Sequence, residues 1–211
     1  MASSPSPERA PAIPRRPPPL PVKVVIAGGF GVGKTTAVAS VSEVRPMTTE
    51  ASMTMMSADI DRIDGVPAKR TTTVAMDFGC ITIDASLKLY LFGTPGQDRF
   101  GFMWGDIARG ALGALVIADS RRLDDAYPAV DYFERFRIPF VIGVNLFDGR
   151  LSHDLGAIRW ALDTDPDIPV IAFDARDKLS VRDALLVVLR RALREARSTR
   201  QNQSLQNQGR L

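Results

Sequence analysis

The stretch "AGGFGVGKTT", Ala27 to Thr36, constrains this chain more than any other. It follows "VKVVI", an apolar β-branched run that reads as a buried strand, and precedes "TAVASVSEV", which reads as a helix. Gly28-x4-Gly33-Lys34-Thr35 therefore falls on a strand, a loop and a helix start, the context in which this spacing forms a phosphate-binding P-loop. The physical basis is anion capture. Glycines let the backbone wrap around phosphate oxygens without Cβ clashes, and successive N–H groups at the helix start face the negative charge. The candidate contacts are Gly28, Gly31, Val32, Gly33, Lys34, Thr35 and Thr36. Lys34 would neutralise the β- and γ-phosphates, and the Thr35 hydroxyl would ligate Mg²⁺.

The 211 residues allow one domain of ordinary size with tails, and 45% apolar residues suffice for its core. No apolar run approaches the roughly 20 residues of a membrane span. The start of the chain is proline-rich rather than signal-like, and neither a prenylation box nor a myristoylation glycine is present. A soluble, cytoplasmic protein without a stable membrane anchor is expected. The lone Cys80 excludes an internal disulfide and reads as buried and inert.

The formal charge is +3. Residues 1–21 contribute +2 and residues 197–211 contribute +3, leaving −2 for residues 22–196. A mildly acidic body gives nucleic-acid binding no support. Eight of the first 21 residues are proline, so 1–21 reads as a disordered arm; 197–211 reads as a disordered polar tail.

Between them, helical patterns alternate with strand-like runs, the signature of an α/β domain. Strands are expected at Val22–Ala27, Val74–Asp84, Leu87–Phe92, Ala114–Asp119, Phe140–Asn145 and Val170–Phe173, and helices at Lys34–Val44, Leu123–Phe136, Asp154–Leu162 and Val181–Arg197. "IDASLKL" reads as the turn of an antiparallel hairpin. The expected fold is a P-loop NTPase: a six-stranded, mainly parallel sheet with one antiparallel edge strand and helices on both faces. The last helix gathers Val181, Leu185, Val188, Leu189 and Ala192 on one face. Arg190, Arg191, Arg194 and Arg197 near its end read as a solvated face.

A P-loop alone leaves the nucleotide open. "FVIGVNLFDG" ends a strand with Asn145-x-x-Asp148, at the carboxyl edge where open sheets bind ligands. A carboxylate there can accept two hydrogen bonds from guanine, a donor pair that adenine lacks, so Asp148 would discriminate between them. Asp174-Ala175-Arg176, after the next strand, is placed to offer a backbone N–H to the guanine O6.

With these three pieces in order, residues 22–196 resemble the Ras-like small GTPases, closest to the bacterial MglA-type branch and its conservon-encoded actinobacterial members. "GTPGQDRF" resembles switch II, with Gly96 on the γ-phosphate and Gln97 orienting the attacking water. "RTTTVAMDF" resembles switch I. Thr73 best matches the threonine that senses the γ-phosphate through Mg²⁺, with Thr71 and Thr72 as register alternatives. Two departures stand out. Gly93 occupies the usual place of a carboxylate that supports Mg²⁺, and Leu146 replaces a lysine whose stem packs on the guanine. Loose nucleotide binding is the expectation.

The resemblance implies GTP/GDP and Mg²⁺ as cofactors and a slowly hydrolysing molecular switch in signalling, with Gln97, Lys34 and Thr73 carrying the chemistry. "FGFMW", Phe100 to Trp104, reads either as core under the second helix or as a partner surface; on the second reading the resemblance implies a Roadblock-type dimer docking on the switches through exposed Phe100, Phe102 and Trp104, with the chain monomeric alone and peripheral to the membrane only through partners. The alternative is a nucleotide-binding scaffold with little hydrolysis. A small-molecule kinase or ATPase is disfavoured by Asn145 and Asp148. Arg70 and Arg99 flank the switches, each either an arginine finger or a solvated surface residue. Met47, Met53, Met55 and Met56 suit either a repacking switch or loop or hairpin packing. His153 reads as exposed, with no metal cluster to join.

Overall fold

A computed structural model describes residues 17–45, 47–54, 71–96 and 98–208. Its sheet comprises β1 (Leu20–Ala27), β2 (Met47–Thr54), β3 (Thr71–Asp84), β4 (Leu87–Gly93), β5 (Gly113–Ala118), β6 (Phe140–Asn145) and β7 (Val170–Phe173). Their spatial order is β2-β3-β4-β1-β5-β6-β7. β1 pairs in parallel with both β4 and β5, and β5-β6-β7 continue in parallel, whereas β2–β3 and β3–β4 are antiparallel.

All six expected strands are present. The seventh, β2, lies in a segment whose methionines gave no alternating pattern. It lies at the sheet edge and pairs along its whole length with β3, from Met47–Phe78 to Thr54–Thr71. An edge strand needs no buried face to specify it, so its sequence can stay polar. As a result the antiparallel strand β3, expected at the edge, is second from it.

β5 and β6 are buried at every position, as strands covered on both faces must be. Along β1, Val25 and Ala27 enter one core and Val24 and Ile26 the other. The first core lies under α2 (Trp104–Ala108), α3 (Tyr127–Arg135) and α4 (Leu155–Ala161), the second under α1 (Lys34–Val41) and α5 (Lys178–Gln208). Val181, Leu185, Val188, Leu189 and Ala192 are all buried, as the helical spacing requires, and so is Cys80. His153 is exposed.

Helix ends differ from the sequence expectation for identifiable reasons. α1 stops before Val44 because the chain turns to bond β3: Glu43 N–H donates to the Cys80 carbonyl (2.7 Å), and its carboxylate accepts from Thr82 N–H (2.8 Å). α4 starts on Asp154, whose Oδ1 accepts from Gly156 and Ala157 N–H at 2.8 and 3.0 Å. α5 starts three residues early because Asp177 Oδ1 accepts from Leu179 and Ser180 N–H at 2.7 and 3.0 Å. It continues through Gln208, so helix occupies most of the segment read as a polar tail. The stretch before α3 is a 3₁₀ turn, Leu123–Ala126. No helix among the described residues is long and apolar enough to cross a membrane.

Trp104 is a correction. It is 7% exposed, edge-on to Tyr132 at 5.4 Å and stacked on Phe133 at 6.4 Å. It belongs to the core and cannot serve as an exposed docking anchor, because α2 turns its apolar face onto α3. Phe102, two residues earlier, is 52% exposed.

Candidate functional site

The loops at the carboxyl ends of β1, β4, β5, β6 and β7 converge at one edge of the sheet, and they build the site. The β1–α1 loop carries left-handed backbone at Gly28, Gly31 and Gly33 (φ 131°, 74° and 107°). At Gly28 a Cβ would lie 2.2 Å from the Ile117 carbonyl oxygen, so only glycine lets the loop leave β1 beside β5.

Lys34 opens α1 and is 8% exposed; its ammonium donates to the Gly28 carbonyl (2.8 Å) and the Gly29 carbonyl. Burial pushes its pKa down to about 8, with the Asp77 carboxylate opposing the shift. Thr35 and Thr36 follow it, both exposed.

Asp77 is the functional residue that sequence reasoning missed. It lies on β3, and its Oδ2 accepts from the Thr35 hydroxyl at 2.6 Å. A Cβ on Gly93 would lie 2.9 Å from the Asp77 Cβ, so the carboxylate fills the space left where a side chain is usual at 93. The available signal was an acid inside the otherwise apolar, β-branched run of β3. Asp77 thus brings a carboxylate beside Gly93 from the neighbouring strand.

This pair tests the fit of Mg²⁺. No group of three or more His, Cys, Asp or Glu able to hold a metal exists among the described residues. Mg²⁺ ordinarily takes only one or two protein oxygens and completes its shell with water and phosphate, so Thr35 Oγ1 and Asp77 beside it are a fitting donor set.

The loop after β4, through Gly96, lies on the P-loop. A Cβ on Gly96 would stand 2.6 Å from Lys34 Nζ and 3.0 Å from the Gly29 carbonyl oxygen and Phe30 Cα. Gln97, Arg70, Met55 and Met56 lie outside the described residues, as do the side chains of Met47, Met53, Thr71, Thr72, Thr73, Arg99 and Phe100. The backbone of Thr73 is in β3, opposite Ser52 of β2.

At the base end, Asn145 is 5% exposed and acts as a brace. Its Nδ2 donates to the Val32 carbonyl (3.0 Å) and its Oδ1 accepts from Ala175 N–H (3.0 Å), tying the P-loop to the β7 loop. The three N–H groups from which one was expected to meet guanine O6 are all engaged: Asp174 N–H donates to Ser180 Oγ, Ala175 N–H to Asn145 Oδ1 and Arg176 N–H to Asp174 Oδ1, so a base oxygen would share one of them. Asp148 is exposed and sits in the left-handed region (φ 56°) with Gly149 (φ 72°), in a tight turn closed by the Phe147–Arg150 bridge.

Two Asp-x-Arg units flank it. Arg176 holds Asp174 through Nε (3.0 Å) and Nη2 (2.9 Å), and Arg121 holds Asp119 through Nε (2.9 Å) and Nη2 (2.8 Å). Each guanidinium pKa is raised first by its aspartate partner and, among lesser causes, by the field of Asp148. An open cavity of about 560 Å³ beside Asp148 is lined by Arg121, Phe147, Arg150 and Ser152.

Residues 26–205 match the family described as conserved hypothetical ATP binding proteins. An uncharacterized protein of Methanocaldococcus jannaschii is 35% identical over 129 residues, 60% of this chain and 71% of that protein. Among solved structures, the cytosolic domain of the T. maritima FeoB iron transporter in its apo form superposes with a TM-score of 0.58 at 16% identity, covering 82% of this chain but only 64% of that one. The FeoB G-domain from Methanococcus jannaschii gives 0.54 at 11% identity, covering 82% of this chain and 98% of the G-domain. Likeness at such identities carries the fold, and the fold is that of the P-loop GTPases. Sequence match, glycine-built phosphate bed and sheet order agree that this chain belongs to the family of conserved hypothetical ATP binding proteins, a nucleotide-binding P-loop family, and is built on the GTPase fold.

Proposed function

We propose that the protein binds guanine nucleotides and works as a slowly hydrolysing molecular switch of the MglA type. The observation that carries this reading is Asp148, an exposed carboxylate on a tight turn three residues beyond the Asn145 brace. Guanine N1–H and its 2-amino group would pair with it, whereas adenine would leave the charge unsatisfied. Binding GDP at least tenfold more tightly than ADP supports the proposal; equal affinity, as the ATP-binding family description allows, overturns it.

In hydrolysis, water attacks the γ-phosphorus and the bond to the β–γ bridging oxygen breaks, releasing GDP and phosphate. Lys34 stabilises the charge gathering on the phosphoryl oxygens, Thr35 and Asp77 would hold Mg²⁺, and Gln97 orients the water. Mg²⁺, when bound, supplies further positive charge at the β- and γ-phosphates. Single-turnover GTP hydrolysis should be far slower than the ~1–100 s⁻¹ of kinases and slower still in Gln97→Leu. A Roadblock-type dimer is the proposed regulator, with Phe102 the apolar contact on the switch II side.

A second reading draws on the position of Gly96. The switch II loop rests on the Lys34 ammonium that must turn to a γ-phosphate and on the Gly29–Phe30 backbone beside it, which suits a scaffold that binds nucleotide and hydrolyses little. GTP left intact in single turnover, with and without the regulator, would select it.

A further inference from the structure

The connector from Asp119 to Ala126, between β5 and α3, holds none of the residues that the motifs assign to nucleotide, yet it touches both ends of the site. Its anchor is Asp119, 1% exposed. That carboxylate accepts from the Arg121 N–H (2.9 Å) and from its guanidinium, and Arg122 Nε stands 3.8 Å away. The two guanidiniums then diverge.

Arg121 lies over the Phe147 ring at 4.1 Å, immediately before Asp148, while Ser120 Oγ accepts from Ser152 N–H (3.0 Å) on the far side of the same turn. The base-reading turn is therefore held at two points. Arg122 reaches the opposite way: its Nη2 donates to the Phe30 carbonyl at 3.3 Å, and its Nη1 is 3.4 Å from Asp125. Asp125 in turn packs against Gly29, where a Cβ would come within 2.5 Å of its own.

Peptide planarity gives the second contact a consequence. In a trans peptide the carbonyl of one residue and the N–H of the next point in opposite directions. A guanidinium holding the Phe30 oxygen therefore turns the Gly31 N–H away from itself, and the P-loop needs that N–H for the anion. Arginine suits both tasks because a planar fork can chelate a carboxylate, stack on a ring and still donate to a carbonyl.

We propose that Arg121 and Arg122, referenced to the single buried carboxylate of Asp119, are positioning residues for the two halves of the nucleotide: Arg121 fixes the Asp148 turn for the base, and Arg122 fixes the Phe30–Gly31 peptide for the phosphates. The base half rests on Asp148 being the base reader; the phosphate half does not.

The test is calorimetric titration of the full chain with GDP, ADP and pyrophosphate at fixed Mg²⁺, for wild type, Arg121→Ala, Arg121→Lys, Arg122→Ala and Asp119→Asn, with thermal denaturation of each free protein. Arg121→Ala should lower the GDP-over-ADP preference by about tenfold and leave pyrophosphate within about twofold. Arg121→Lys should not restore it, since an ammonium cannot chelate Asp119 and cover Phe147 together. Arg122→Ala should weaken pyrophosphate by about three- to tenfold and leave the GDP-over-ADP ratio unchanged. Asp119→Asn should show both losses; if it does not fold, the two half-exposed arginines decide. Unchanged ligand affinities, or both arginine variants losing pyrophosphate equally, would overturn the division of labour. A wild type without GDP preference removes the base reading of Asp148, and the pyrophosphate response of Arg122→Ala then supports or sinks the phosphate half by itself.

Discussion

At the phosphate end the contacts are backbone groups, set by left-handed glycines at 28, 31 and 33 around the buried cation of Lys34. At the proposed base end the candidate contacts are side chains on turns, the exposed Asp148 and the Asp174–Arg176 pair, with the buried Asn145 brace behind them. Backbone geometry is rigid and indifferent to what the rest of the ligand is; side chains discriminate but must themselves be held. The phosphate end should therefore supply most of the affinity and the base end most of the selectivity.

The largest expected effect comes from removing the cation. Lys34→Ala should cost about 100-fold in pyrophosphate and nucleotide affinity alike, since a charge-assisted contact to phosphate is lost whatever the base. A base-dependent loss, seen by comparing GDP, ADP and pyrophosphate titrations, would break the separation of the two ends.

Next in size is the Asp77 carboxylate beside Gly93. Gly93→Asp forces a side chain into the space occupied by Asp77, adding crowding to like-charge repulsion, and should destabilise the domain by about 1–3 kcal/mol. Adding Asp77→Gly should recover stability and Mg²⁺-dependent nucleotide affinity together. If Gly93→Asp alone is tolerated in thermal denaturation, Asp77 does not fill that place.

At the base end, Asp148→Asn should weaken GDP by about tenfold and favour xanthine nucleotides, whose 2-oxo group accepts from the amide, with pyrophosphate unaffected. Competition between GDP and XDP reads this directly. Loss of pyrophosphate binding in the same variant would join the two ends instead of separating them.

The last prediction is a pH dependence confined to the phosphate end. The folded-state pKa of Lys34, about 8, lies below its ordinary 10.5, so between these values the unfolded chain binds more protons at this position. Its contribution makes stability of the free protein rise with pH from about 8 to 10.5, by less than the ~1.4 kcal/mol per pH unit of one full proton. Below pH 8 the contribution is flat. Pyrophosphate favours the charged ammonium, so binding near pH 9 should take up a fraction of a proton, measurable by titration in buffers of different ionisation enthalpy. Proton release would reverse the assignment.

The sequence by itself determined what short-range geometry encodes. Gly28-x4-Gly33-Lys34-Thr35 specifies its loop because three left-handed residues and a helix start lie within eight positions, and the continuous apolar runs of β5 and β6 specify strands covered on both faces. Only tertiary structure decided the rest. β2 owes its form to β3, not to its own pattern. Asp77 and Gly93 are sixteen positions apart and meet because β3 and β4 are neighbours. Trp104 reads equally as anchor or core until α2 is laid on Tyr132 and Phe133. Arg121 and Arg122, adjacent in sequence, look like one patch of charge; the fold sends one to Phe147 and the other to Phe30. Backbone conformation is settled among near neighbours, whereas the role of a charge depends on what stands opposite it, and only the packed sheet and its loops decide that.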